Sequence, residues 1–168
     1  SVAAPHSPQT PAKRHKTALS DIAPHRPPSF NEEDVSDKPS WIGPLLTSTK
    51  ISTIDRNRKN YLRTLLAVDE GIEKIKNTLQ TYGELNNTVI LFVGGDNGFH
   101  WGEHRIPNGK QSPYEEAIRN ATIVFDGRSQ IQQVNPFLVL NIDIAPTIME
   151  LAGLPSAPTF DGMSFVPL

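Results

Sequence analysis

Thr88-Val89-Ile90-Leu91-Phe92-Val93-Gly94-Gly95-Asp96-Asn97-Gly98 leads from a strand into the loop that follows it. The part up to Val93 is a continuous β-branched and apolar run, which is typical of a strand buried on both faces of a parallel sheet. Gly94-Gly95 marks the end of that strand. Because ligand sites of open α/β sheets lie beyond the carboxyl ends of the strands, we expect functional polar groups directly after Val93.

The sequence around this strand predicts further helices and strands. Apolar residues recur at three- and four-residue spacing from Tyr61 to Leu79 and predict an amphipathic helix at 56–81, which ends near Gly83. Three more elements are predicted: strands at 122–125 and 137–142, and a short helix at 146–152 with proline in its first turn. The order of the elements indicates an α/β architecture with a mainly parallel sheet flanked by helices.

The amino-terminal part of the chain is rich in proline. Eight of the fifteen prolines fall within residues 1–44, and each removes a backbone donor and restricts the residue before it. We therefore predict an extended loop segment at 1–50, which alone would be interpreted as a linker or disordered arm. Residues 51–168 would form the packed part of the domain.

Composition excludes several functions. The 168 residues carry 16 basic and 18 acidic side chains with no basic stripe, so nucleic-acid binding is not expected. No apolar stretch is long enough to span a bilayer and no signal-peptide pattern is present, so we expect no membrane partner.

The absence of cysteine excludes thiol nucleophiles, thiolate metal sites and disulfides. We interpret the start at Ser1 and the stop at Leu168 as those of a piece of a longer protein.

The loop after the strand offers ligands for a metal ion. Asp96 and Asn97 place a carboxylate beside an amide oxygen, and such oxygens are ligands for a hard cation such as Ca²⁺ or Mg²⁺. The alternative is that Asp96-Asn97-Gly98 is simply a turn. If the two residues are ligands, we expect their oxygens to project together from the end of the strand.

The residues downstream of this loop complete an ordered series of motifs. Asp96-Asn97-Gly98, Gly102-Glu103-His104 and Lys110-Gln111-Ser112-Pro113-Tyr114-Glu115 resemble the second signature region of the sulfatase family, within the alkaline-phosphatase-like superfamily. The resemblance continues in Asp143-Ile144-Ala145-Pro146-Thr147 and Asp161-Gly162-Met163-Ser164, and upstream Pro5-His6-Ser7-Pro8 is similar to a segment of glucosamine 6-sulfatases and related arylsulfatases. It implies a carboxy-terminal part of a sulfatase catalytic domain, with the fold of a partial alkaline-phosphatase-like sandwich.

The resemblance implies roles for particular residues. Asp96 and Asn97 would bind one divalent cation, Ca²⁺ or alternatively Mg²⁺, while Lys110 and His6 would hold the sulfate and the bridging ester oxygen. By themselves, Lys110 would be interpreted as a solvated lysine and His6 as a loop histidine. We expect His6 and Lys110 to approach the Asp96 loop.

The other four histidines fall into two pairs. His100 and His104 could each contact the substrate, although the family varies at both positions. His15 and His25 match no family role and are predicted to face solvent.

The chain also departs from the family pattern. Sulfatases use a formylglycine made from the Cys or Ser of a Cys/Ser-x-Pro-x-Arg motif, and none is present. The stretch 156–160 begins correctly but has Phe160 where arginine is required. The early Asp-Asp pair of the cation site and the small carboxy-terminal domain are also missing. We therefore expect formylglycine in a part outside this chain and no activity from the chain alone.

Hydrolysis of sulfuric esters, on a sulfated sugar or an aryl sulfate, is the leading functional hypothesis. The alternatives are a catalytically silent remnant that acts as a binding or structural piece, and a related phosphodiesterase or phosphonate hydrolase. The sequons Asn86-Asn87-Thr88 and Asn120-Ala121-Thr122 are compatible with a secreted or lysosomal glycoprotein.

Overall fold

A computed structural model describes residues 4–129, 131–155, 157 and 159–166. Its regular elements are, in chain order, α1 (Ser48–Thr81), β1 (Val89–Val93), α2 (Glu115–Ile118), β2 (Thr122–Asp126) and α3 (Ile144–Leu151). Short 3-10 turns lie at Lys13–His15, Leu85–Asn87 and Asn141–Asp143. None of the helices in these residues is long and apolar enough to cross a membrane.

Helix α1 is longer than the apolar periodicity predicts. The predicted start at residue 56 is wrong, because the helix begins at Ser48, after Thr47, whose side chain accepts a hydrogen bond from the Lys50 amide at 3.4 Å. This capping contact satisfies a free amide of the first turn, and the polar turns behind it carry no apolar pattern that could reveal them. The end follows the prediction, with Gly83 at a φ of +74° just beyond Tyr82.

Strands β1 and β2 form a two-stranded antiparallel sheet. Val89 lies opposite Asp126, and Val93 opposite Thr122. The expected mainly parallel sheet is therefore not confirmed. An apolar run indicates burial but does not determine strand direction, which depends on the partner and on the connection between the two strands.

The predicted strand at 137–142 is wrong. In its place the chain is irregular up to a 3-10 turn at Asn141–Asp143, and Phe137 and Leu138 are 62% and 87% exposed. A strand exists only when another strand pairs with it, and none of the described residues does so here. The predicted short helix is confirmed as α3, with Pro146 in its first turns.

The proline-rich segment lies against α1 as an irregular chain. Its described part, up to Thr47, contains one 3-10 turn and one isolated bridge, between Phe30 and Glu103. Two ion pairs fasten it to the helix: Arg14 with Glu70, and Arg26 with Asp55, whose Nη2 and Oδ2 are 2.7 Å apart. These contacts place the segment beside the loop that follows β1.

The apolar core is small for a chain of this length. Fully buried apolar side chains in the described residues are Leu46, Ile54 and Ala117. Large apolar side chains remain exposed on β2 and on the stretch after it, with Ile123 61% and Val134 95% accessible. Ile123 and its neighbour Val124, 61% and 49% exposed, leave both faces of β2 open, whereas the residues of β1 are half-buried.

Candidate active site

The loop at the carboxyl end of β1 presents the Asp96 carboxylate to solvent. The Asp96 side chain is 80% exposed, and its Oδ2 lies 3.4 Å from Nζ of Lys110, which is 40% exposed. The loop backbone is held from two sides, since Asn141 Nδ2 donates to the Asp96 carbonyl at 3.1 Å and Asn120 Nδ2 donates to the Gly95 carbonyl. The structure thus brings together a carboxylate and an ammonium group that the sequence separates.

Asn97 lies next to Asp96 and is partly buried. Its Nδ2 donates to the Gly98 carbonyl at 2.7 Å, which leaves Oδ1 as the atom for a cation. Gly98 is packed so closely that an added Cβ would lie 2.2 Å from the Glu116 carbonyl. The close approach of loop and helix α2 therefore requires glycine here.

The two oxygen ligands do not form a complete cation site. Among the described residues there is no group of three or more acidic, histidine or cysteine side chains that could hold a metal ion. A calcium ion takes six or more oxygens, so Asp96 and Asn97 fit it only as part of a larger set. Neither residue is buried in the apolar core, and their role as ligands stays a prediction.

His6 does not join this group. Its Nδ1 lies 2.9 Å from the carbonyl of the adjacent Ser7, and the side chain is exposed. Within the described part of the chain no hydrogen bond or ion pair connects His6 with Lys110 or Asp96. No direct contact between His6 and the loop is therefore seen, and its expected approach and its catalytic role both stay predictions.

His100 is fully buried beneath the loop. Its Nε2 lies 2.7 Å from Ser112 Oγ, while its Nδ1 has no hydrogen-bond partner and is 3.9 Å from Glu103 Oε2. Burial lowers the pKa of His100, and the Glu103 carboxylate opposes that shift only in part. The ring is therefore a neutral interior group that positions the segment leading to Lys110.

His104 bridges two carboxylates. Its Nδ1 is 2.8 Å from Glu32 Oε1, its Nε2 is 3.4 Å from Glu116 Oε2, and its ring stacks on Tyr114 with centroids 4.2 Å apart. The backbone φ of +53° at His104 is a left-handed conformation that these contacts hold in place. Both His100 and His104 bind protein groups here, so their contact with substrate stays a prediction.

Glu103 is a buried carboxylate that the sequence did not single out for a role. It is 2% exposed, and its two oxygens contact Nε2 of His25 at 2.8 Å and the amide of Trp101 at 2.6 Å. The prediction that His25 and His15 face solvent is wrong. His25 is partly buried on Glu103, and the His15 side chain is 13% exposed and 2.9 Å from Glu70. The Gly102-Glu103-His104 triplet is a sequence signal that includes Glu103, but it does not reveal the partner of Glu103, because His25 lies in a distant segment.

The motif that begins at Asp143 and the one that begins at Asp161 are joined by hydrogen bonds. Asp143 Oδ1 accepts the Met163 amide at 2.9 Å, and the Thr147 hydroxyl accepts the Phe165 amide at 3.0 Å. An added Cβ on Gly162 would lie 2.3 Å from the Ile142 carbonyl. These residues have a structural role, joining α3 to the closing segment. Ser156 and Pro158, in the incomplete nucleophile-like stretch, lie outside the described residues.

A shallow cavity of about 320 Å³ opens beside Lys110. Trp41 and Ser112 line it together with the edge of His100. It places the Trp41 ring within the same depression as the Lys110 ammonium group.

Comparison with known proteins identifies a family and relatives for this chain. The family model described as Sulfatase matches residues 3–154. The chain is 35% identical to N-acetylglucosamine-6-sulfatase of Bos taurus, covering 100% of this chain and 30% of the relative. It is 36% identical to an arylsulfatase of Volvox carteri, covering 87% and 24%. The extracellular sulfatase SULF-1 homologue of Drosophila melanogaster is 31% identical, with 98% and 15% covered.

A solved structure shares the fold of this chain. It is a protein in complex with its substrate D-glucosamine-2-N,6-O-disulfate, with a TM-score of 0.56 and 33% identity over 69% of this chain and 23% of that one. The fold and the matched family model together define the class: the chain belongs to the sulfatase family. It spans about 30% of the length of the bovine relative.

Proposed function

We propose that the chain is part of a sulfuric ester hydrolase and contributes its Asp96–Lys110 loop to binding of a cation and a sulfate group. The observation that carries this is the 3.4 Å contact of Lys110 with Asp96 at the carboxyl end of β1, in a chain of the sulfatase family. Because Asp96 is mostly exposed, a cation can reach its carboxylate.

The chemistry of the site follows from its charges. Lys110 lies beside Asp96 and its side chain is 40% exposed, so its ammonium group can turn to a sulfate oxygen while Asp96 binds a cation. A cation and a fixed ammonium group together neutralise the sulfate and stabilise the charge that builds on the leaving ester oxygen. His6 is proposed to donate a proton to that oxygen, and it would have to move from its present contact with Ser7.

The attacking group is proposed to come from residues outside this chain. A formylglycine would supply the nucleophile, and the chain contains no cysteine and no Ser-x-Pro-x-Arg motif from which to form one. The open apolar surface supports a larger domain, because Ile123 and Leu138 are 61% and 87% exposed and the chain covers 30% of the bovine relative. Burial of such side chains stabilises a fold, so the missing part of the domain would cover them.

The substrate is proposed to be a sulfated sugar of the glucosamine type or an aryl sulfate. The bovine relative is named for N-acetylglucosamine 6-sulfate, and the matched structure contains a disulfated glucosamine. The cavity beside Lys110 supports this proposal, because the Trp41 ring on its wall could pack against a sugar or aryl ring. An extracellular or lysosomal location is proposed from the relatives named extracellular sulfatases.

The test is sulfate ester hydrolysis by a complete enzyme that contains this chain, in its wild-type form and as Asp96→Ala. Loss of Asp96 should abolish most of the cation-dependent rate, whereas Asp69→Ala, an exposed carboxylate on α1, should leave the rate unchanged. A complete enzyme with no sulfatase activity but with phosphodiester hydrolysis would favour the related hydrolase instead. Turnover by the isolated chain would contradict the proposal that the nucleophile lies elsewhere.

A further inference from the structure

The two sequons of the chain differ in the state of their asparagine side chains. Asn86 lies in the exposed 3-10 turn Leu85–Asn87, before β1, and is itself exposed. Its side chain makes no hydrogen bond among the described residues. Asn120 lies in the connection before β2, is partly buried, and donates from Nδ2 to the Gly95 carbonyl.

The surroundings of the Nδ2 atom distinguish these asparagines, because N-glycosylation attaches the sugar to that atom. At Asn120 this nitrogen points into the Gly94-Gly95 backbone, and the Oδ1 of the same amide lies 2.9 Å from the position of an added Cβ on Gly94. A sugar replaces one of the two Nδ2 hydrogens, and beside this close contact with the loop it would compete with the tether that presents Asp96. At Asn86 the nitrogen is free of such contacts.

The turn at Asn86 also favours modification on structural grounds. The third sequon residue, Thr88, donates its hydroxyl to the Glu84 carbonyl at 2.7 Å, so the turn is ordered by its own residues. Strand β1 separates this turn from the Asp96 loop, and its five residues span roughly 17 Å at about 3.3 Å per residue. An oligosaccharide at Asn86 therefore projects from the end of the sheet opposite the candidate active site.

We propose that Asn86 is the site of N-linked oligosaccharide in the folded, secreted protein, and that Asn120 remains unmodified because its amide tethers the Asp96 loop. The inference does not depend on sulfatase activity. It predicts one glycan per chain although the sequence offers two sequons.

The experiment is secretion of the protein from a eukaryotic cell line as wild type, Asn86→Gln and Asn120→Gln. Within residues 1–168 of the secreted protein, the wild type and Asn120→Gln should carry one glycan that an N-glycosidase removes, and Asn86→Gln should carry none. Enzymatic release converts the modified asparagine to aspartate, so peptide mass spectrometry identifies the residue directly.

Any glycan on Asn120 of the secreted wild-type protein would overturn the proposal, as would a secreted protein without a glycan at Asn86. Thermal denaturation of the enzymatically deglycosylated proteins provides the second measurement. Asn120→Gln should lower the denaturation temperature because the Gly95 tether is lost, and Asn86→Gln should leave it within experimental error of the wild type. An Asn120→Gln protein as stable as the wild type would also contradict the tether on which the inference rests.

Discussion

Nζ of Lys110 lies 3.4 Å from Oδ2 of Asp96, a residue fourteen positions earlier in the chain. The segment between them folds back on itself, with the His100 amide donating to the Gly109 carbonyl at 2.8 Å. Because both side chains reach solvent, their ion pair contributes little to stability. The pair instead places two opposite charges at the candidate active site. Substitutions of either residue should therefore affect function far more than folding.

Calcium binding to the chain alone should be weak or undetectable. Asp96 and Asn97 supply at most three side-chain oxygens, and the cation takes six or more. Isothermal titration of the purified chain with CaCl₂ should give no saturation in the micromolar range. Saturable micromolar binding that Asp96→Ala leaves intact would show that other residues form the cation site.

Gly102 should tolerate alanine less well than Gly109, the other glycine of the site loop with a positive φ. It has a φ of +107°, and an added Cβ would lie 2.4 Å from the ring of Phe30. Gly109 has a φ of +116° with nothing within 4 Å, so Gly109→Ala should cost only backbone strain, about 1–3 kcal/mol. Urea denaturation should show a larger loss of unfolding free energy for Gly102→Ala than for Gly109→Ala.

Gly43→Ala is the matched control for both glycine variants, since Gly43 has neither a positive φ nor a neighbour within 4 Å. Its unfolding free energy should stay within about 0.5 kcal/mol of the wild type. Equal losses for Gly102→Ala and Gly109→Ala would mean that the Phe30 ring moves aside freely.

The Thr147 hydroxyl should stabilise the closing segment. It donates to the Asp143 carbonyl at 2.6 Å and accepts the Phe165 amide at 3.0 Å, and the residue is 1% exposed. Thr147→Val keeps the shape but removes both hydroxyl hydrogen bonds and leaves the Phe165 amide without this acceptor, which should cost about 1–3 kcal/mol in urea denaturation. Thr147→Ser keeps the hydroxyl and should cost less. The reverse order would assign the effect to the methyl group.

Local patterns in the sequence predicted the elements of this fold better than their assembly. The apolar runs at β1 and β2 and the proline-containing start of α3 predicted those elements. The pairing direction of β1 and β2 depends on the connection between them, and the 137–142 run lacks a partner strand in the described residues. Patterns along a chain report burial, but strand pairing depends on residues distant in sequence.

The sequence likewise predicted only some of the contacts in the candidate site. The resemblance to sulfatases indicated that Lys110 approaches the Asp96 loop, and the structure places them in contact. It did not indicate that His25 binds Glu103, because 78 residues separate them and neither position has a distinctive local pattern. The contacts of buried polar side chains were therefore the part that sequence could not provide.

Acidification should destabilise the protein through His100. Burial holds its folded-state pKa below the unfolded value of about 6.5. Between those two values the unfolded chain binds more protons than the folded one, so the free energy of unfolding falls as pH drops below about 6.5. Thermal denaturation from pH 7.5 to 5.5 should show a smaller decrease for His100→Gln than for the wild type. Identical pH profiles would mean that His100 titrates equally in both states.

Lys110 is proposed to act on the sulfate group, and the most direct test is the rate of aryl sulfate hydrolysis by a complete enzyme that contains this chain. Lys110→Ala should reduce that rate on the order of a hundredfold or more, because it removes a fixed positive charge that stabilises the transition state. Lys50→Ala, at an exposed position in the first turn of α1, is the control and should retain the wild-type rate. Both variants should unfold at the wild-type temperature. An undiminished rate in a folded Lys110→Ala enzyme would contradict the account and remove Lys110 from the active site.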